Sequence, residues 1–356
     1  MELLLNKKIV NKFIETKEEN ILIDNIYNDF FENYSRSIKE SEIKEANNYY
    51  SLFCEKLDID KDDKEFALLA KKYHLSNFDK LDESNFTNNP YYKNIHLKGD
   101  IKHKNLLLTK STILPYQAFI YKDIDLINND YYREINHLGY FVHPFTYLDL
   151  IEKEETWMSI TPHEIFTMGK SLNEVKGNVL VLGLGLGYYP YMASLKKEVN
   201  TVDVIEINKD IINIFKDNLF NQFSEKEKIR IIESDALTYL KTNNLYKYDY
   251  IFIDLWHNPI DALPLYIKIY NLLYRYNIKV NYRIENSIIS ALRRALITLL
   301  EENLEGYKDN DYLKSQNDYD LLINKLYFKT KDKKISSEEE LYEFLSEENI
   351  KKIIRD

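Results

Sequence analysis

Glycines and carboxylates are concentrated in one part of the chain in a way that ligand binding would explain. The chain has only eight glycines, and four of them, Gly177, Gly183, Gly185 and Gly187, fall within eleven residues. Three alternate in VLVLGLGLGYY, directly after an apolar run. Glycine lets a strand turn sharply and lets the backbone approach a ligand where a Cβ would intrude. The cluster therefore predicts a ligand-binding loop, and a tight turn without a ligand is the alternative.

The spacing of these glycines separates two classes of ligand. The dinucleotide fingerprint G-x-G-x-x-G fails in both frames, because its third glycine falls on Tyr188 when counted from Gly183 and on Pro190 when counted from Gly185. The observed G-x-G-x-G resembles the loop of S-adenosylmethionine (SAM)-dependent methyltransferases, whose ligand has no pyrophosphate. The spacing therefore disfavours a dinucleotide oxidoreductase.

Carboxylates follow the glycine loop at the ends of later apolar runs. Glu206 closes the next run, 19 residues after the last glycine of the loop, where it can accept hydrogen bonds from both ribose hydroxyls. Asp235 can accept from an adenine amino group, and the Ala236 N–H can reach a ring nitrogen, although Asp235 equally suits the N-cap of a helix over ALTYL. Asp254 ends YDYIFIDL and faces the same crevice. The expected cofactor contacts are Gly183, Leu184, Gly185, Gly187, Glu206, Ile207, Asp235, Ala236 and Asp254.

The elements that must position these residues are short apolar strands in alternation with helices. NVLVLG, VDVIEI, IRIIES and YDYIFIDL are typical strands, and a fifth is expected around VNYRIE. KDIINIFKDNLF and IISALRRALITLLEENL have the three- and four-residue apolar spacing of helices. Near-continuous apolar strands joined by helices predict a mainly parallel sheet covered on both faces. The predicted fold class is α/β, a Rossmann-like SAM-binding domain preceded by a helical segment and a small β subdomain.

Four regions are predicted along the chain. They are a helical N-terminal segment, a small β-rich subdomain, the SAM-binding domain and a charged helical C-terminal extension, over residues 1–80, 81–156, 157–305 and 306–356. In the second region, β-branched and aromatic runs broken by Gly99 and Gly139 predict antiparallel strands. NNPYY at 88–92 is expected to be a turn. LYFKTKDKKI is the candidate for the antiparallel strand pair with which such SAM-binding domains usually end.

The glycine loop and the three carboxylates together resemble a class I SAM-dependent methyltransferase domain. Within that superfamily the chain looks most like the spermidine synthase branch. VLVLG lacks an acid before the glycines, a small β region precedes it, and PHEIFTM stands just ahead. Spermidine synthases carry Y-H-E-M at that place, and His163–Glu164 matches its centre. The resemblance covers roughly 157–265 and implies SAM as the cofactor and His163 and Glu164 as substrate-site residues.

The residues that a polyamine would need are missing from this resemblance. The family carries an aspartate inside the glycine loop, a D-x-x-D-P motif and a tyrosine before H-E. Here Leu186 stands at the loop position and Pro162 stands in place of the tyrosine. Within DLWHNP, His257 or Asn258 stands in place of the second aspartate. A diamine is dicationic, and losing these carboxylates removes the charges that would hold and deprotonate it. We therefore expect SAM binding without spermidine synthesis.

Trp256 and His257 follow Asp254 at the place where class I methyltransferases keep substrate-facing side chains. Trp256 is expected to form an apolar substrate wall, and His257 could accept a proton from an incoming nucleophile near neutral pH. The alternative is a packed tryptophan and a solvent-facing histidine. Asp254 and His257 are the catalytic candidates. Trp157 and Met158, just before the domain, are expected to be packing residues.

Composition and charge argue against several kinds of partner. A net charge of −10 gives no long-range attraction for a phosphate backbone or an anionic membrane, so nucleic acid is disfavoured. The single cysteine, Cys54, can form no internal disulfide, and no cysteine cluster could bind zinc, so no metal is expected. The sequence contains neither a secretory signal nor a membrane-spanning apolar run, which favours a cytoplasmic protein. A homo-oligomer is left open.

The function that these observations favour is methyl transfer from SAM to an unidentified small-molecule or protein acceptor. The sulfonium methyl is already activated, so the enzyme must mainly align the nucleophile and exclude water. Two alternatives stay open: a spermidine synthase-like aminopropyl- or aminobutanoyl-transferase, and a non-catalytic SAM-binding interaction protein. Methylthioadenosine as the product, in place of S-adenosylhomocysteine (SAH), would identify the first alternative.

Overall fold

Alternating helices and strands form the α/β part of the molecule. The computed structural model describes residues 1–309, 312 and 318–355. The α/β elements are α7 (Pro162–Glu174), β11 (Gly177–Leu182), α8 (Tyr188–Ser194), β12 (Val199–Glu206), α9 (Lys209–Asn218), β13 (Ile229–Glu233), α10 (Ala236–Thr242), β14 (Tyr250–Ile253), α11 (Pro259–Leu273), β15 (Lys279–Tyr282) and α12 (Glu285–Glu305).

These strands form one five-stranded sheet in the order β13-β12-β11-β14-β15, and every pair is parallel. Alternate residues of β11 enter two different cores. Leu180 and Leu182 pack with α10, α11 and α12, whereas Val179 and Val181 pack with α8 and α9. Side chains of a strand alternate between its faces, so a strand covered on both faces must be apolar throughout. The predicted mainly parallel α/β sheet is confirmed.

The N-terminal segment is helical and begins with a very short strand. Its elements are β1 (Glu2–Leu3), α1 (Lys7–Asn33), α2 (Glu40–Glu45), α3 (Tyr49–Lys56) and α4 (Lys64–Lys72). Helix α1 has 27 residues and is therefore about 40 Å long at 1.5 Å per residue. Val10 and Phe13 near its start join the core that covers the α/β sheet, while Tyr27 and Phe30 belong to a separate core with residues from α3 and β8. The three predicted domain boundaries stay predictions, and packing crosses the one at residue 80.

The region between the N-terminal helices and the α/β sheet is rich in short strands. Its elements are β2 (Phe78–Lys80), α5 (Ser84–Thr87), α6 (Pro90–Asn94), β3 (Ile101–His103), β4 (Leu106–Ile113), β5 (Ala118–Ile120), β6 (Asp125–Ile127), β7 (Arg133–Ile135), β8 (Leu138–Tyr140), β9 (Phe145–Glu152) and β10 (Glu155–Ser159). Strands β10-β9-β4-β3 form an antiparallel sheet, as predicted, while β2 pairs with β8 in parallel. The turn predicted for NNPYY is wrong. Asn89 caps a short helix there and Pro90 occupies its first turn, where a missing N–H costs nothing.

The C-terminal elements complete the core on one face of the sheet. They are α13 (Asp318–Thr330), β16 (Lys334–Ile335), α14 (Glu338–Phe344) and α15 (Glu347–Ile353). The strand pair predicted for LYFKTKDKKI is wrong, because LYFKT ends α13 and β16 pairs in parallel with β1. Leu341 and Leu345 are fully buried against α12 and α1 in the core that covers the sheet. Over the part of the chain that the structure describes, no helix combines the length and apolarity needed to cross a membrane.

Candidate functional site

The glycine loop lies between β11 and α8, at the carboxyl edge of the sheet. Gly183, Gly185 and Gly187 have φ of +98°, +51° and +77°, a backbone region in which side chains are strained. A Cβ on Gly183 would overlap the carbonyl oxygen of Asp254, and one on Gly187 would overlap the ring of Phe215. The loop therefore needs glycine at both places to fit against its own protein neighbours.

Glu206 ends β12 and its carboxylate turns toward the glycine loop. The Leu184 N–H donates to Glu206 Oε2 at 3.2 Å, and the Asn208 N–H donates to Oε1 at 2.8 Å. Burial raises the pKa of Glu206, and the two backbone donors oppose that rise. A carboxylate offers about four acceptor sites, so each oxygen retains capacity for a further donor such as a hydroxyl.

A cavity of about 360 Å³ opens beside this loop. Its sheet-side lining consists of Gly183, Leu184, Gly185, Glu206, Asp254 and Arg283. The sheet order reverses direction between β11 and β14, and ligands of doubly wound sheets bind at this switch point beyond the carboxyl ends of the strands. The volume of this cavity lies within the range of about 300–1,000 Å³ found for small-molecule pockets.

A buried arginine in the cavity wall holds two carboxylates in place. Arg283 follows β15 and is 4% exposed. Its Nε donates to Asp254 Oδ1 at 2.5 Å and its Nη1 donates to Glu164 Oε1 at 2.9 Å. The Arg283 Nη2 donates to the Trp256 carbonyl at 3.1 Å. The Trp256 indole N–H in turn donates to the Arg283 carbonyl, also at 3.1 Å. Two carboxylates on different elements are thus held by one guanidinium.

Burial shifts the titration of two neighbouring groups on the first turn of α7. It raises the pKa of Glu164 to about 7, with Arg283 opposing and Asp254 adding to the rise. It lowers the pKa of His163 to about 4, and Arg283 acts in the same direction because it disfavours a second cation. At neutral pH His163 is therefore uncharged, whereas Glu164 is poised to gain or lose a proton.

Strand β10 of the antiparallel sheet forms the opposite wall of the cavity. Thr156, Trp157, Met158 and Ser159 all line it. The Trp157 ring meets the His257 ring edge-on, with centroids 5.2 Å apart. Met158 packs against the core of the α/β sheet as predicted, and both Trp157 and Met158 also line the cavity. Sequence patterns within β10 gave no sign of this, since the contact depends on how two sheets meet.

The structure brings together most but not all of the residues singled out from the sequence. Those that line the cavity are Glu164, Gly183, Leu184, Gly185, Glu206, Ile207, Asp254, Trp256 and His257, and those outside its lining are His163, Gly187, Asp235 and Ala236. Asp235 accepts from the Thr238 N–H at 2.7 Å, which is the N-cap alternative. Trp256 is buried, whereas His257 is exposed at the cavity rim.

Arg283 is the site residue that the sequence analysis missed. Its segment, VNYRIE, was interpreted only as a fifth strand. An arginine directly after a strand, in a sheet where three of the other four strands end at or beside a carboxylate, is the signal that was present. Because strand ends of a parallel sheet meet at one edge, its pairing with Asp254 follows once β15 is placed beside β14.

Comparisons with known proteins found similar folds among solved structures. No family model and no curated protein matches the chain. M. capricolum TrmK in complex with S-adenosyl-homocysteine matches at 18% identity over 33% of this chain and 49% of its own, with a TM-score of 0.25. Spermidine synthase from Thermotoga maritima matches at 16% identity over 41% and 54%, with a TM-score of 0.29. A putative O-methyltransferase from Klebsiella pneumoniae matches at 19% identity over 29% and 45%, with a TM-score of 0.23.

The chain thus spans about half the length of these solved structures. All three TM-scores are low, so the matches add nothing to the description of the site. The strand order and the glycine loop at the switch point define a Rossmann-like α/β fold.

Proposed function

We propose that this chain binds SAM in the 360 Å³ cavity and transfers its methyl group to an acceptor. The observation that carries the proposal is the placement of the Glu206 carboxylate against the glycine loop at the switch point of the sheet. A partly buried acid with free acceptor capacity at the end of the second strand is suited to a ribose diol.

With its ribose bound to Glu206, an adenosyl ligand would extend its adenine ring in one direction and its sulfur end in the other. Ile207 is 66% exposed and lies beside the cavity, so it offers an apolar surface to an adenine ring. Asp235 and Ala236 at the start of α10 lie beyond the lining and would meet only the outer edge of that ring. The sulfur end would lie toward Asp254 and the β10 wall.

The transfer step needs alignment more than it needs acid–base groups. The bond between the sulfonium sulfur and the methyl carbon breaks, its electron pair stays on sulfur, and the acceptor's lone pair forms the new bond to carbon. Any proton on the acceptor then passes to a base or to solvent. His257 at the rim is the base we propose for that proton, and Trp157 beside it would exclude water from the acceptor side.

Transfer of an aminopropyl group to a diamine is the less favoured alternative. Asp254, which would have to attract a cationic amine, is already paired with Arg283 at 2.5 Å. Leu186, at the loop position where the resemblance implies an aspartate, is buried and apolar. The loop acid that would hold a diamine is therefore absent, and the acid after the fourth strand is already engaged by a guanidinium.

Calorimetric titration of the purified chain with SAM, SAH, methylthioadenosine and NAD tests this proposal. We expect binding of the adenosyl set and none of NAD. Glu206→Gln should weaken SAM binding by about tenfold or more, since hydrogen bonds to a charged group contribute about 1.5–3 kcal/mol. Glu227→Gln is the matched control, because Glu227 is exposed two residues before β13 begins, at the opposite edge of the sheet.

Three outcomes would change the conclusion. Absence of binding by every adenosyl ligand would reject the SAM site. Methylthioadenosine bound much more tightly than SAH would favour transfer of the larger group. Tight SAM binding without labelled product in a cell extract supplied with methyl-labelled SAM would favour a non-catalytic SAM-binding protein.

A further inference from the structure

One carboxylate oxygen in the cavity wall lacks the partner that a buried acid requires. Glu164 is 13% exposed and its Oε1 accepts from Arg283. Its Oε2 is buried and has no hydrogen-bond partner among the described residues. A buried polar atom without a partner is costly, so this oxygen needs an explanation in structure or in function.

The charged groups around Glu164 leave its charge uncompensated when it is ionised. Arg283 is the cation facing it, and that guanidinium is shared with Asp254. Two carboxylates against one guanidinium give this cluster a net charge of −1, which becomes zero when Glu164 is protonated. His163, on the same helical turn, contributes no charge at neutral pH, because burial lowers its pKa to about 4.

The remaining titratable groups lie elsewhere on the cavity lining. Glu206 is hydrogen-bonded to backbone donors, and His257 is exposed at the rim. Tyr188 and Tyr189 also line the cavity, and burial raises the pKa of both hydroxyls, so neither ionises near neutral pH. The experiment must therefore distinguish Glu164 from His257, which lines the same cavity.

The Glu164 cluster shares one cavity with the glycine loop and with Glu206. Leu184 donates to Glu206, while Gly183 lies against the Asp254 backbone. These two adjacent residues span at most about 7 Å. With the ribose on Glu206, we expect the sulfur end to extend along the cavity toward the Asp254 and Glu164 carboxyl groups, which share its lining.

We propose that Glu164 is the residue that makes the cavity prefer the sulfonium of SAM to the neutral thioether of SAH. The inference rests on the proposed function, since it requires an adenosyl ligand. SAM and SAH share the same ribose, adenine and amino acid groups, so the ratio of their affinities isolates the charge on sulfur. A preference of this kind would help a transferase to release its product.

The affinity ratio of SAM to SAH should depend on pH, because the sulfonium of SAM stabilises only one protonation state of Glu164. A sulfonium favours the ionised carboxylate, so SAM binding lowers the pKa of Glu164 from its value of about 7 in the free protein. SAM binding should then release protons near neutral pH, and SAH binding should release fewer. With a shift of about one pKa unit, the ratio of SAM to SAH affinity rises about fivefold from about pH 6 to about pH 8.

Calorimetry across this pH range, in buffers of different ionisation enthalpy, measures both the ratio and the protons released. In the unmodified chain we expect the ratio to rise with pH and SAM to release more protons than SAH. Glu164→Gln should make the ratio smaller and nearly independent of pH while leaving SAH binding in place. His257→Asn should leave the rise unchanged.

The possible failures can be told apart. If neither SAM nor SAH binds the unmodified chain, the proposed function itself is rejected. If both bind with a ratio that does not change with pH, only the role of Glu164 is rejected. A pH dependence that persists in Glu164→Gln and disappears in His257→Asn assigns the effect to His257. Should Glu164→Gln not fold, equal proton release by SAM and SAH in the unmodified chain overturns the proposal.

Discussion

Single residues in the cavity wall carry both the shape and the charge of the candidate site. Gly183 lets the glycine loop pass against the carbonyl of Asp254, and Arg283 holds the carboxylates of Asp254 and Glu164. The importance of the glycines was visible in the sequence, because clustering in a glycine-poor chain demands a local cause. The importance of Arg283 was not, because its partners are distant in sequence and meet only at the sheet edge.

Replacing Gly183 by alanine should destabilise the protein markedly. The new Cβ would overlap a backbone oxygen, and φ of +98° strains any side chain, so we expect a loss of about 2–4 kcal/mol in the free energy of unfolding. Chemical denaturation measures it. Gly99→Ala is the control, since Gly99 has open space around its Cβ position and should change stability by less than about 1 kcal/mol. Equal effects of the two changes would contradict this account of the loop.

Replacing Arg283 by methionine should cost more at high pH than at low pH. The change leaves two buried carboxylates without their cation, for which about 3–5 kcal/mol is expected. Removing the cation raises the pKa of both carboxyl groups, so acid relieves the repulsion by protonating them. Unfolding measured at about pH 5 and about pH 8 tests the sign. Arg275→Met, on an exposed side chain, should show neither the loss nor its pH dependence.

Helices and strands were predictable where their pattern was locally determined. The central strands of the sheet were identified because burial on both faces demands near-continuous apolar residues. NNPYY was mistaken for a turn because Asn-Pro suits a helix start as well as a turn. LYFKTKDKKI was mistaken for strands because its apolar residues fit both periods, and pairing with β1 could not be seen locally.

Asp235 allows a prediction about one helix, because it caps α10. Its carboxylate accepts from both the backbone N–H and the hydroxyl of Thr238, and these bonds lower its pKa. Asp235→Ala should cost about 1 kcal/mol of stability. Because the folded pKa is depressed, the ionised cap contributes above the unfolded value of about 4, and that contribution is lost as pH falls through the folded pKa.

Asp235→Asn should preserve the cap and most of the stability, since asparagine is an equally good N-cap residue. Thermal unfolding of both variants, paired with SAM titration, separates the helix cap from the adenine contact. A loss of SAM affinity in both variants with stability lost only in the alanine variant would support both roles of Asp235. Stability lost equally in both would contradict the capping role.

The whole molecule is held together by packing that crosses the predicted regions. Helix α1 enters two cores, and the α14–α15 pair covers α12, with the Arg293 Nε donating to the Leu345 carbonyl at 2.8 Å. Sequence patterns indicated that the terminal segments were helical but not where they dock. Where these helices dock depends on which faces of the other elements remain uncovered after the sheet has formed. The hydrophobic periodicity of a helix does not contain that information.

Leu341→Ala should therefore destabilise the α/β part, although Leu341 lies far from it in sequence. Leu341 is fully buried in the core beneath the sheet, and such a cavity costs about 2–5 kcal/mol. Leu321→Ala, at a leucine that is 49% exposed, is the matched control and should change stability by less than about 1 kcal/mol. Denaturation followed by circular dichroism measures both. Equal stability of the two variants would show that the C-terminal helices are not part of this core.

The β10 wall and the loop after β14 also have an optical consequence. The chain has two tryptophans, and Trp157 and Trp256 both line the cavity, one 38% exposed and the other 5% exposed. All tryptophan emission therefore originates at the candidate site, from one indole close to water and one shielded from it. A ligand that fills the cavity should shift the emission of Trp157 to shorter wavelength, so the unlabelled protein can itself report which small molecules bind.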